Sequence, residues 1–141
     1  MKTFSHYLQE LAVRRPEPQD TLGVPRKAMP QIAKDDYDEL LQFLKGHGVT
    51  PKKLKVNPNE LRAIQKDFKA AGVVKALELE KSKKAVLISN DMFIIDGNHR
   101  WLGALNSRAT TIDALQFNTN GVRLLALVKK FAKTTYKGLY D

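Results

Sequence analysis

The stretch AVLISNDMFIIDGNHRWLGAL, residues 85–105, decides the fold. Two short apolar runs, 85–89 and 92–96, flank Asn90-Asp91, and a two-residue turn between such runs predicts a β-hairpin. Both runs are largely apolar on both faces, so the hairpin belongs in a covered, central position. The second run ends at Asp96-Gly97. Trp101, Leu102 and Leu105 then take helical spacing, which predicts a helix over residues 98–107.

Downstream, TTIDALQF (110–117) alternates as a strand, with Ile112 and Leu115 apolar. A C-terminal helix is expected from Val122, Leu125 and Ala132 beside Leu124, Val128 and Phe131, with Lys129, Lys130 and Lys133 toward its end. Upstream, Asn57 as N-cap, Pro58 at the first helical position and Glu60 two residues on predict a helix start. Leu61, Ile64, Phe68 and Ala71 would form its apolar face and Gly72 its end. VTPKKLKV before it suits a strand with Leu54 and Val56 inward. Tyr37, Leu40, Leu41 and Leu44 mark another helix, with Gly46 as the residue after its end. Its first turns hold Asp35, Asp36, Asp38 and Glu39, which match the helix dipole better than they match a metal site.

Residues 15–30 carry four prolines and a glycine and read as an extended connector. Phe4, Leu8 and Leu11 before it predict a short amphipathic helix, an arm that packs on the domain or on a second subunit as a homodimer. The expected organisation is thus an arm and connector over 1–30 and one domain over 31–141. The expected fold class is α+β, a small mixed sheet flanked by helices.

Composition narrows the function. An apolar fraction of 43% over 141 residues is enough for one hydrophobic core and too high for a disordered chain. No apolar run approaches the ~18 residues of a membrane span. The start does not resemble a signal peptide, and with no cysteine, thiol chemistry is excluded. A cytoplasmic protein with no membrane partner is expected. The net charge of +9 favours anionic partners, and residues 44–84 hold eleven Lys/Arg against four Asp/Glu. Scattered lysines also simply solvate helix faces, so charge permits a polyanion partner without requiring one.

The chemistry concentrates at Asp96 through Arg100. Backbone N–H groups at a helix N-terminus and its positive dipole end favour an anion. Gly97 allows close approach or a positive φ, Asn98 suits an N-cap, and Arg100 offers a permanently charged fork. His99 can donate to an anion or exchange a proton near neutral pH. Asp96 can accept from a hydroxyl, hold Mg²⁺ through water, or pin the turn. Each residue also has an ordinary reading as turn, cap or ion pair, but together, between a buried strand and a helix, they point to a phosphate site. Trp101 reads as a core anchor.

The row IIDGNHRWLGAL resembles the DG(H/N)HR-helix signature of the ParB/sulfiredoxin-like superfamily, and the likeness extends over roughly residues 50–117. LKVNPNELRAIQKDF resembles the superfamily's earlier Gln-x-(Glu/Asp) element, with Gln65 and Asp67 as the matching residues. MPQI and the N-terminal segment resemble small phage-encoded members. Asn98 stands where a sulfiredoxin has its cysteine, which removes that chemistry. Chromosome-partitioning relatives carry a different motif and a further helix-turn-helix domain, for which little chain follows residue 117.

The free serine kinases of the superfamily resemble this arrangement best. That resemblance implies ATP or another nucleotide, with Mg²⁺, held by Gln65, Gly97, Asn98, His99 and Arg100. Asp67, Asp96 and His99 would then be the catalytic residues of a phosphotransferase or nucleotide hydrolase. Two alternatives stay open: a DNA-binding ParB-like nuclease whose cradle takes a backbone phosphate, and a regulatory protein that keeps the fold without catalysis.

Overall fold

The computed structural model describes residues 21–65, 85–106 and 110–136. The expected arm at 4–11, the expected helix beyond residue 65 and Asp67 lie outside the described residues.

Seven strands and three α-helices are described. In chain order they are β1 (Pro30–Gln31), α1 (Tyr37–Gly46), β2 (Pro51–Val56), β3 (Arg62–Ala63), β4 (Val86–Ile88), β5 (Phe93–Asp96), α2 (Asn98–Asn106), β6 (Ile112–Phe117), α3 (Gly121–Lys130) and β7 (Thr135–Tyr136). Five strands form a mixed sheet in the order β2-β6-β4-β5-β3. The β2–β6 and β4–β5 pairs are antiparallel, and the β6–β4 and β5–β3 pairs are parallel. The architecture is α+β, as the element pattern predicts.

Helices cover both faces, and strand alternation decides which residue goes where. Leu87, Phe93, Ile95 and Phe117 meet Leu40 and Leu44 of α1 and Leu124, Leu127 and Val128 of α3. Val86, Ile88, Ile94 and Ala114 meet Trp101 and Leu102 of α2. The hairpin strands are apolar on both sides because both sides are core. Leu44, Ile64, Ile88, Ile94, Leu102 and Leu124 are wholly buried, each worth ~1.5–3 kcal/mol of transfer free energy.

Several sequence expectations are corrected. The hairpin turn is longer than Asn90-Asp91: the Met92 N–H donates to Ser89 O at 3.1 Å, and the Ser89 N–H donates to Phe93 O at 2.9 Å. Met92 takes φ 72, the left-handed position of a three-residue hairpin loop where glycine is usual. The residues after Asn57 make one 3₁₀ turn, Pro58–Glu60, instead of opening a long helix. Leu61 is already extended, and Arg62 and Ala63 pair in parallel with Phe93 and Ile94. The Arg62 N–H reaches Met92 O at 2.8 Å. A free edge of β5 supplied hydrogen bonds that outweighed helical spacing at Leu61 and Ile64.

Helix α1 runs through Gly46, which is its last residue and not the one after its end. His47 is its cap residue, and Gly48 takes φ 77. The Gly48 N–H donates to Lys45 O and the Val49 N–H to Leu44 O, a Schellman closure in which buried Leu44 and Val49 belong to the same core. In α3 the Asn120 side chain accepts from the Arg123 N–H at 2.8 Å, and this cap sets the helix phase. Leu124, Leu127 and Val128 turn inward, while Val122, expected on the apolar face, is 67% exposed. The connector is not wholly irregular within residues 21–30. It forms a 3₁₀ turn at Arg26–Ala28, buries Met29, and joins β7 through β1.

The acidic run at α1 has a partner. Lys133 Nζ lies 2.6 Å from Glu39 Oε1 and 3.6 Å from Asp36 Oδ1, and these carboxylates raise the Lys133 pKa. The bridge fastens the segment after α3 to the start of α1.

Candidate functional site

Strand β5 delivers Asp96 to one edge of the sheet, and the chain turns there into α2. Gly97 takes φ 100, and a Cβ on it would stand 2.8 Å from Val86 Cγ1 and 2.9 Å from Arg100 Nη2. A side chain is excluded twice, by the backbone angle and by the close approach of β4. The Trp101 N–H donates to Gly97 O at 3.0 Å, so Gly97 is the residue that caps α2. Asn98, expected as the N-cap, is instead the first helical residue. The turn had already spent its non-helical position on the only residue type that tolerates it.

Arg100 folds back against the strand. Its Nη2 donates to Ala85 O at 3.1 Å, and among the described residues its buried Nε has no hydrogen-bond partner. Asn98 Oδ1 is likewise buried without a partner among the described residues. Buried polar atoms are seldom left unpaired, and a pair of them at one helix start suits a polar ligand or an ordered water. Burial lowers the Arg100 pKa, and the Asp96 charge beside it offsets part of that effect.

Asp96 is half-buried. Burial raises its carboxyl pKa from 3.8 to about 6, against the opposing pull of Arg100 and of a hydrogen bond from the Gly97 N–H. A carboxyl poised there exchanges protons close to neutral pH, which an ordinary aspartate does not.

Gln65 reaches the same edge. The β3–β5 register pairs Arg62 with Phe93 and Ala63 with Ile94. Past a bend at Ile64, Gln65 follows two residues beyond this pairing. Gln65 is buried and bridges in parallel to Val24, with the Val24 N–H on Ile64 O at 3.3 Å. Thus Gln65, Asp96, Gly97, Asn98 and Arg100 lie toward one end of the sheet, although Gln65 and Asp96 are 31 positions apart in the sequence. His99 lies on the first turn of α2, and its side chain is outside the described atoms. Asp67 is outside the described residues.

The residues fit an anion in part. Arg100 Nε is a buried donor without a partner among the described residues, and the first amides of α2 have no partner within the helix. Arg100 Nη2 is already occupied by Ala85, so the guanidinium offers one face of its fork and not all of it. For Mg²⁺, Asp96 supplies a carboxylate at the sheet edge, and no group of three or more His, Asp or Glu able to hold a metal occurs among the described residues. An ion would therefore take its remaining ligands from phosphate and water.

Sequence reading did not find Ala85 and Val86, which hold Arg100 and close over Gly97. Nothing in their residue types signals such roles. Only the antiparallel β4–β5 register, Leu87 opposite Asp96, would have pointed to them.

No helix among the described residues is long and apolar enough to cross a membrane. No family model, curated protein or solved structure matches the chain.

Proposed function

We propose that this chain is a nucleotide-binding domain of the ParB/sulfiredoxin-like kind that transfers or hydrolyses a phosphoryl group at the Asp96–Arg100 turn. The observation that carries the reading is the buried Arg100 Nε at the start of α2, without a partner among the described residues, beside the half-buried carboxyl of Asp96. A bound nucleotide such as ATP would supply the phosphoryl group, with Mg²⁺ neutralising part of its charge. The chain's own work is mostly positioning and electrostatic stabilisation. Arg100 Nε and the amides of residues 98–100 orient anionic oxygens. Asp96 accepts a proton at its carboxylate from the attacking hydroxyl or water, a task suited to a pKa near 6. Asp67 and His99 remain proposed catalytic residues from the sequence likeness, and Gln65 a binding residue whose position at the sheet edge supports that role.

Calorimetric titration with ATP, ADP and CTP tests the reading. Saturable heat that Arg100→Ala abolishes is the expected result, with Asp96→Asn retaining binding but losing turnover. No heat with any of the three nucleotides would overturn it. Binding without turnover would point to the regulatory alternative.

A second reading, a DNA-binding protein whose cradle takes a backbone phosphate, draws on the exposed Lys52, Lys53 and Lys55 of β2 and on Lys129 and Lys130 ending α3. Lys133 contributes less than its charge suggests, because Glu39 and Asp36 already engage it. This reading expects DNA affinity that falls steeply with salt. Affinity indifferent to salt would remove it.

A further inference from the structure

A cleft of about 510 Å³ opens over β2 and β6, lined by residues 53–55 and 113–115 and by Ala85. Its size lies within the ~300–1,000 Å³ of small-molecule sites. The β2–β6 register sets Lys53 opposite Leu115 and Lys55 opposite Asp113, so these four side chains share one face of the sheet. Leu54 and Ala114, also opposite each other, pack toward α2 and offer the cleft main chain. Ala85, two residues before Leu87, continues the face that Leu115 belongs to. The apolar part of the lining is therefore the Leu115 side chain, the Ala85 methyl and the methylene stems of two lysines.

Its charges are unequal. Lys55 Nζ is 3.1 Å from Asp113 Oδ1, which leaves Lys53 with no acidic partner among the described residues. A net charge of +9 adds a favourable field for anions. We propose that this cleft binds a small organic anion with a planar apolar body, its carboxylate or phosphate on Lys53 Nζ and its ring laid across Leu115 and Ala85. The site is separate from the Asp96–Arg100 turn and independent of its proposed chemistry. The two touch at one residue, because Ala85 lines the cleft with its side and holds Arg100 Nη2 with its carbonyl.

Amide NMR titration of the whole chain with phenyl phosphate tests this. Saturable shifts are expected at Ala85, Asp113 and Leu115, with inorganic phosphate and phenol, the two halves of the probe, each binding more weakly. Lys53→Glu is expected to weaken phenyl phosphate about tenfold or more, since it removes a charged contact and puts a like charge in its place. Lys53 is exposed, so the variant should fold, and an unchanged amide spectrum elsewhere checks that it has. A pyrophosphate titration read at residues 97–100 reports on the other site, and its failure would leave the cleft shifts standing. No saturable shift, shifts confined to residues 97–100, or wild-type affinity in Lys53→Glu would each overturn the proposal.

Discussion

Arg100 reaches from the first turn of α2 to the main-chain oxygen of Ala85, 3.1 Å from Nη2, and so ties the helix to the start of β4. The contact positions the guanidinium over the Gly97 turn, where a Cβ would come within 2.9 Å of it. Strand, glycine and arginine thus form one rigid unit, and the nearby carboxyl of Asp96 is buried by the same packing.

That burial gives stability an unusual pH dependence. Asp96 has a folded pKa of about 6 against an ordinary 3.8, so the folded chain binds more protons than the unfolded chain between those values. The sign follows directly: the contribution of Asp96 to stability is fully present below 3.8 and is lost as pH rises through about 6. Above that, ionised Asp96 costs the fold on the order of 3 kcal/mol. Asp96→Asn keeps an acceptor for the Gly97 N–H and removes the charge. It should raise stability at neutral pH by ~2–3 kcal/mol and be nearly neutral in mild acid. Urea unfolding of both proteins across that range checks the difference, and a variant that is less stable at neutral pH would contradict the assignment.

Gly97→Ala meets two obstacles that can be separated. The positive φ costs ~1–2 kcal/mol for any L side chain. Contact with Val86 Cγ1 at 2.8 Å adds a steric term, for which overpacking typically costs ~1–3 kcal/mol. Adding Val86→Ala to Gly97→Ala should relieve part of the second term, since Arg100 Nη2 at 2.9 Å and the residue-86 Cβ at 3.1 Å remain, and none of the first. Measured against Val86→Ala alone, the glycine substitution should therefore cost less than it does in the wild-type background. Equal costs in both backgrounds would mean that Val86 does not contribute.

The fold was legible where one residue could serve only one purpose. The apolar doublets of β4 and β5 required cover on both faces, and the Asp-Gly pair after Ile95 required a turn. The Leu61–Ile64 spacing was ambiguous, because a short apolar run satisfies a helix stripe and a buried strand alike. What decided it was the unpaired edge of β5, a partner about 30 residues away that no local pattern reveals. The site divides in the same manner. Asp96 to Arg100 were visible as a motif, whereas the partners of Arg100 and the pKa of Asp96 depend on packing by residues of no distinctive type.

Trp101 is the anchor that holds α2 to the chain before β3. Its indole Nε1 donates to Pro58 O at 2.7 Å, and both residues are buried. Trp101→Phe keeps an aromatic ring in the core but withdraws the donor, which leaves a buried carbonyl unpaired at ~1–3 kcal/mol. The smaller ring adds a modest cavity term, for a total of roughly 2–4 kcal/mol. Far-UV circular dichroism must follow the unfolding, since the only tryptophan is gone. Because Trp101 faces the core below the turn, the proposed nucleotide affinity should stay within about threefold of wild type, under ~0.7 kcal/mol. A large loss of stability together with a retained ligand response would mark Trp101 as a fastening of the helix. Loss of both would place it in the binding site itself, as the stacking platform that its burial against Pro58 argues against.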